Sequence, residues 1–251
     1  MTYNFAAQRE AWAKPPIGGR SVASGALKGW SDEAIRMWTH QTWPRQYGQP
    51  SNFDGGYLKH LGIETTLDKT VMDFGCGFGF DSLGYARGGC KVVLADIRLD
   101  NLATARRVLM AHDFMPLESR LVTDQHPFFD DPPEVLDVFH CSGVLHHIPY
   151  ASDILRRASE VLAPDGEIRL MLYTDHLFRT MTKQEPGGID DDVSQHPAFE
   201  RYVRGCDAVG YYADWYTPEK LLKRCAGLFD LAEWHYLRPD RGNAVAILRR
   251  A

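Results

Sequence analysis

Two carboxylates bracket three alternate glycines in this chain. Val71 and Met72 lead into Asp73, the run Gly75-Cys76-Gly77-Phe78-Gly79 follows, and Lys91 to Ala95 lead into Asp96. Glycine lets a backbone approach a ligand where any side chain would collide, and it permits the positive φ of a tight strand-to-helix turn. Whatever binds there touches main chain. A dinucleotide fingerprint places its third glycine where Phe80 stands, so the spacing argues against a pyrophosphate. Asp73 would repel a phosphate and suits an ammonium or a hydroxyl donor, while Asp96 can accept two hydrogen bonds from a ribose diol. A nucleoside with a cationic tail satisfies both acids.

These residues need strands to deliver them. Residues 71–74 and Lys91–Asp96 are short apolar runs, and Arg120–Thr123, Val135–Cys141 and Ile168–Tyr173 are three more, each separated by a stretch of helical period. The helix from Asp81 ends at Gly88-Gly89; Leu99–His112 carries Leu102, Ala105 and Leu109 on one face; Ile154, Leu155, Ala158 and Val161 mark another amphipathic helix. Such alternation predicts an α/β fold, doubly wound, with parallel strands joined by right-handed crossovers. A further helix is expected over Gly55–Leu67, and one from Thr217-Pro218 to Gly227; Leu231–Leu237 and Asn243–Leu248 read as a closing antiparallel hairpin. Ser31 looks like the N-cap of a helix that carries Ile35, Trp38 and Thr42. The segment 174–214, rich in Asp, Gly and aromatics, is too long for a plain connection.

Asp73-Phe74-Gly75-Cys76-Gly77-Phe78-Gly79 followed by Asp96 resembles the signature of the class I S-adenosylmethionine-dependent methyltransferases. Asp124-Gln125, Asp137 through His147 and Leu162 through Glu167 extend the likeness in the right order. The resemblance implies a mostly parallel seven-stranded sheet, a Rossmann-like methyltransferase fold of strand order 3-2-1-4-5-7-6. Residues 1–54 would form an N-terminal arm with a helical lid, residues 55–251 the catalytic domain, and residues 174–214 an insertion after strand five. Its cofactor would be S-adenosyl-L-methionine, with Gly75, Gly77 and Gly79 beneath the methionine portion and Cys76 and Ser142 nearby. Asp73 would take the amino group, Asp96 the ribose, Ile97 the face of the adenine, and Asp124 with Gln125 the adenine amino group.

A sulfonium methyl is already electrophilic, so alignment is the main demand, and a base is needed only for a protonated acceptor. His146 and His147, just beyond strand four, are the candidates; the competing role for His147 is to order its loop by bonding backbone. Trp38, Trp43, Tyr47, Tyr173, His176, Tyr211 and Tyr212 are candidate acceptor-binding residues, with a purely packed cover as the alternative.

The 251 residues, 44% hydrophobic and 24% charged, suit one α/β domain with additions. The net charge of −5 lacks a basic stripe, which disfavours nucleic acid. No apolar run is long enough to span a membrane, and five cysteines without a C-x-x-C pair point to reduced thiols and the cytoplasm. Asp190-Asp191-Asp192 reads as solvated or capping carboxylates, and no metal site is assigned. The expectation is methyl transfer to an oxygen or nitrogen of a small-molecule metabolite or natural product. The alternatives are a lipid-soluble quinone-type ring as acceptor, or a non-catalytic module that binds the cofactor and regulates a partner. The oligomeric state is left open.

Overall fold

The computed structural model describes residues 5–17, 20–47, 56–123, 135–206, 211–237 and 240–251. An N-terminal arm holds α1 (Phe5–Ala11), the small hairpin β1 (Pro16–Ile17) and β2 (Arg20–Ser21), and α2 (Asp32–Tyr47). Next come α3 (Gly56–His60), β3 (Thr70–Phe74), α4 (Phe80–Arg87), β4 (Lys91–Asp96), α5 (Leu99–Ala111), β5 (Glu118–Leu121) and β6 (Leu136–Ser142). After these follow α6 (Ala151–Val161), β7 (Leu162–Tyr173), α7 (Asp175–Thr182), α8 (Phe199–Gly205), α9 (Pro218–Cys225), β8 (Phe229–Tyr236) and β9 (Asn243–Arg250).

Seven strands form one sheet in the order β5-β4-β3-β6-β7-β9-β8. The pairs from β5 to β7 are parallel, and β9 runs antiparallel to both β7 and β8. The expected α/β architecture and strand order both hold. Strand side chains alternate between two cores because the pleat has a period of two. Val71, Val92 and Leu94 pack with Leu83, Ala105 and Leu109 on one face, and Met72, Phe74, Val93 and Ala95 pack with Ile154, Leu155 and Leu221 on the other. Burial on both faces explains why these strands read as continuous apolar runs.

Two local expectations need correction. The helix before β3 stops at His60, because Gly62 takes φ 60° and the chain turns there, so Gly55–Leu67 is not one helix. The third strand spans Glu118–Leu121, two residues earlier than its apolar residues suggest; it is an edge strand, and only part of it is covered. The long segment after β7, expected to be more than a plain connection, carries α7 and α8. Phe178, Phe199, Tyr202, Val203 and Trp215 give it a small core of its own, and Thr174 caps α7 by accepting from the Leu177 N–H.

The arm lies across the body. Ser24 Oγ donates to Asn101 Oδ1 at 2.6 Å, Arg98 Nη1 donates to the Arg9 carbonyl at 3.1 Å, and Arg36 Nη1 donates to the Ala111 carbonyl at 2.5 Å.

Candidate active site

The order of the sheet reverses between β3 and β6, which is where open parallel sheets leave a crevice beyond their strand ends. A cavity of about 580 Å³ opens there, within the range of small-molecule sites. Asp73, Gly75, Cys76, Gly77, Asp96, Ile97 and Ser142 all line it. Asp124 and Gln125 lie outside the described residues.

Gly75 and Gly77 hold φ 80° and 52°, which a side chain would strain. A Cβ on Gly75 would sit 2.3 Å from Val144 Cγ2, whereas one on Gly77 would meet nothing closer than Pro15 Cβ at 3.9 Å. Gly77 is therefore bare toward the cavity. Gly79, expected beneath the ligand, is not on the cavity wall: its Cβ would fall 2.9 Å from Ala105 Cβ and 3.0 Å from Ala105 Cα. It is glycine so that α5 can pack against the turn.

Asp96 accepts from the Gly77 N–H at 3.0 Å, the Arg98 N–H at 2.9 Å and Asn101 Nδ2 at 3.0 Å. Burial outweighs these bonds and pushes its carboxyl up to about 6. Asp73, also buried, accepts from Ser82 Oγ, and desolvation raises its pKa too. A ligand that donates hydrogen bonds or carries positive charge relieves both.

A third acid, Asp81, opens α4 and also lines the cavity. The hydroxyls of Tyr47 and Tyr57 donate to it, Tyr57 Oη shares a hydrogen bond with Ser142 Oγ, and His140 Nε2 lies 2.9 Å from Asp81 Oδ2. Burial acts to raise Asp81, but the bonds from His140, Tyr47 and Tyr57 prevail and hold it below its ordinary value. Burial and the Asp81 charge raise both phenols, so they stay protonated donors. Tyr57, Asp81 and His140 were not singled out from sequence. A histidine inside the apolar run Val138-Phe139-His140-Cys141 is the signal that marks this network; Tyr57 carries none.

The two candidate histidines are separated by the structure. His147 lies on the cavity wall, edge-on to Trp12 with ring centroids 5.1 Å apart. Its Nδ1 is 2.8 Å from the Tyr212 carbonyl, which only accepts, so Nδ1 carries the proton and Nε2 is the acceptor in the neutral ring. His146 is turned away: it stacks on Tyr173 at 3.6 Å, its Nδ1 accepts from the Tyr173 N–H at 3.2 Å, and burial followed by the His147 charge lowers its pKa well below the ordinary value. The candidacy of His146 as a base is withdrawn on that geometry.

Of the seven aromatic and histidine candidates for the acceptor, Tyr47 alone is on the cavity wall. Trp38 packs edge-on to Phe80 at 5.2 Å, and Trp43 packs on Tyr47 at 4.6 Å with the Arg87 guanidinium 4.8 Å over its ring. Tyr173 lies behind His146, His176 stands edge-on to Tyr236, Tyr211 is exposed, and Tyr212 contributes its carbonyl to His147. The expected arm supplies cavity wall through three residues not among the candidates, Phe5, Gln8 and Trp12. In the acidic run, Asp191 accepts from the Gly188 N–H at 2.6 Å, Asp192 accepts from the Ser194 N–H at 2.9 Å, and Asp190 pairs with Lys223.

Residues 72–168 match the methyltransferase domain family. That methyltransferase match runs from β3 into β7, and it leaves the arm and the helical cap outside. Over 100 residues the chain is 31% identical to the ubiquinone biosynthesis O-methyltransferase of Sodalis glossinidius (strain morsitans), covering 40% of this chain and 39% of that protein. Over 148 residues it is 28% identical to the ubiquinone biosynthesis O-methyltransferase of Aliivibrio fischeri (strain MJ11), covering 59% and 62%. The chain thus spans less than two thirds of the length of either relative. The magnesium protoporphyrin IX methyltransferase (ChlM) of Synechocystis PCC 6803 with bound SAH has a similar fold, with a TM-score of 0.53 at 15% identity over 88% of this chain and 83% of that one. The CcbJ methyltransferase of Streptomyces caelestis is similar in fold too, with a TM-score of 0.57 at 16% identity over 78% and 88%.

Proposed function

We propose that this chain is an S-adenosyl-L-methionine-dependent methyltransferase that moves a methyl group to an oxygen or nitrogen of a small-molecule acceptor. One observation carries the proposal: Gly77 lies bare on a cavity wall with Asp73 and Asp96, two buried acids that gain most from a cationic nucleoside. When bound, the cofactor supplies the electrophilic methyl. The chain's own residues do the rest. Asp96 and Asp73 orient the nucleoside and its ammonium, Ile97 offers an apolar face to the base, and the arm with the β6 edge keeps water out. His147 Nε2 takes the proton that an O–H or N–H acceptor loses.

The arm over the cavity supports the reading of residues 1–54 as a lid, and the five buried free cysteines support a reducing, cytoplasmic setting. The net charge keeps nucleic acid disfavoured as a partner. Among the described residues no helix is long and apolar enough to cross a membrane. A quinone-type ring is the second reading for the acceptor, favoured by the similarity to ubiquinone O-methyltransferases and by Phe5, Trp12 and Phe78 on the cavity wall.

The test is incubation with methyl-labelled cofactor and a metabolite extract, followed by a search for labelled small products. Label in a polar product supports the leading reading, and label only in apolar rings supports the second. Tight cofactor binding with no labelled product from any acceptor would select a non-catalytic regulatory module instead.

A further inference from the structure

At the outer edge of the sheet, His60 ends α3 and Glu233 and His235 lie two apart on the edge strand β8. The rings of His60 and His235 stack, with centroids 3.9 Å apart and planes at 19°. His235 Nε2 is 2.9 Å from Glu233 Oε2, and one ligand atom from each of the three residues falls within 4.8 Å of the others. Both histidines are half-buried and Glu233 is exposed, so the cluster is fixed on one side and open to water on the other. Gly56 makes room for it: a Cβ there would come within 3.1 Å of His60 Cδ2.

We propose that His60, Glu233 and His235 bind a divalent cation of the zinc class. Two imidazoles and one carboxylate are the donor set of zinc, cobalt, nickel and copper, whereas calcium and magnesium want oxygen alone. Ligand nitrogens bound to one tetrahedral ion lie roughly 3.3 Å apart at metal–nitrogen bonds near 2.0 Å. To aim one nitrogen each at a common ion the two half-buried rings must turn out of their stacked arrangement, and water completes the coordination. The three residues stand 173 and 2 positions apart along the chain, so no local spacing advertises the site.

The site has a path to the cavity. Tyr57 lies on α3 one helical turn before His60, and its hydroxyl holds Asp81 and Ser142. An ion that joins His60 to β8 clamps α3 between the sheet edge and the cavity wall, and so restrains Tyr57. The site itself stands whether or not the methyltransferase reading does.

The experiment uses the full chain with any affinity tag removed. Cobalt titration should give the intense visible absorption of a low-coordinate site, zinc should displace cobalt and raise the melting temperature, and magnesium should do neither. His235→Ala and His60→Ala should each weaken zinc binding at least about tenfold, a loss at the lower end of what altering a zinc site costs. Far-UV circular dichroism without metal confirms that each variant is folded, and His60→Gln serves if the alanine variant is not. Absence of zinc binding at millimolar concentration, or equal binding by the doubly substituted His60→Ala, His235→Ala chain, would overturn the proposal and leave a stacked pair of rings.

Discussion

The backbone N–H of Asp214 donates to the carbonyl oxygen of His146 at 2.7 Å, so the segment that leaves the helical cap is tied to the turn that carries His147. Asp214 is itself held by a buried ion pair. Lys220 Nζ lies 2.7 Å from Asp214 Oδ1, with the two side chains 0% and 3% exposed, and the Trp215 ring sits 3.8 Å beneath the ammonium. The cap and the cavity wall therefore share one anchor.

Replacing Lys220 with Ala leaves the Asp214 carboxylate buried, with the Arg224 guanidinium at 3.6 Å as its remaining cation. Loss of one partner of a buried pair costs about 3–5 kcal/mol, and Arg224 should hold the effect near the lower figure. Urea denaturation of Lys220→Ala should show that loss, and Lys220→Met should recover part of it through packing.

His147 and His146 should respond oppositely to substitution by Asn. If His147 Nε2 takes the acceptor's proton, His147→Asn should slow turnover by about 10²-fold, the low end for a general base, with cofactor affinity little changed. His146→Asn should keep most of the turnover and lose thermal stability, since this ring packs on Tyr173 away from the cavity. Steady-state rates and melting curves on both variants decide it, and equal rate losses would mean that the turn acts only as a structural unit.

The glycines should divide in the same manner. Gly77→Ala adds a methyl group to the cavity wall at a position otherwise open to 3.9 Å, so cofactor affinity should fall while stability drops by only about 1–2 kcal/mol for the left-handed backbone. Gly79→Ala drives a Cβ into Ala105 and should destabilise the chain by more than that, with affinity in the surviving folded fraction near normal. Calorimetric titration alongside thermal melting separates the two.

The affinity for the cofactor should depend on pH through Asp96, which must be ionised to accept from two hydroxyls. Burial holds its proton up to about 6 in the free protein, so affinity should be flat above pH 7 and fall below pH 6 by up to about tenfold per pH unit. Stability of the free protein takes the opposite sign from this group. Its folded pKa is raised above the unfolded value near ~3.9, so its contribution is complete below that value and is lost as pH climbs through about 6. Calorimetry at pH 6 in buffers of different ionisation enthalpy should show protons released on binding, and Asp96→Asn should reduce that release to the part that Asp73 supplies.

What could be read from sequence was what is local along the chain. The glycine turn and Asp96 each follow an apolar strand, and the strand alternation is periodic, so the sheet and half of the cavity could be read directly. Tyr57, Asp81 and His140 come from three separate elements, and only the fold brings them within bonding distance. Aromatics gave the poorest guide. Trp38, Trp43 and Tyr47 share one helix and one composition, yet only Tyr47 ends with its hydroxyl at the cavity, because burial rewards all three rings alike. Gly79 misled for a related reason: the need for a bare Cα is the same whether a ligand or a helix lies opposite.

The arm's dependence on α5 and the β6 edge sets an order of events during synthesis. Ser24, Arg36 and Trp12 lie against Asn101, Ala111 and His147, which are translated roughly 75 to 135 positions later, so the arm should find these partners only after the central strands have been made. The arm should dock late and open early. Amide exchange along α1 and α2 should accordingly outpace that of β3, β4 and β6, which would make access to the crevice between β3 and β6 a matter of local opening rather than global unfolding.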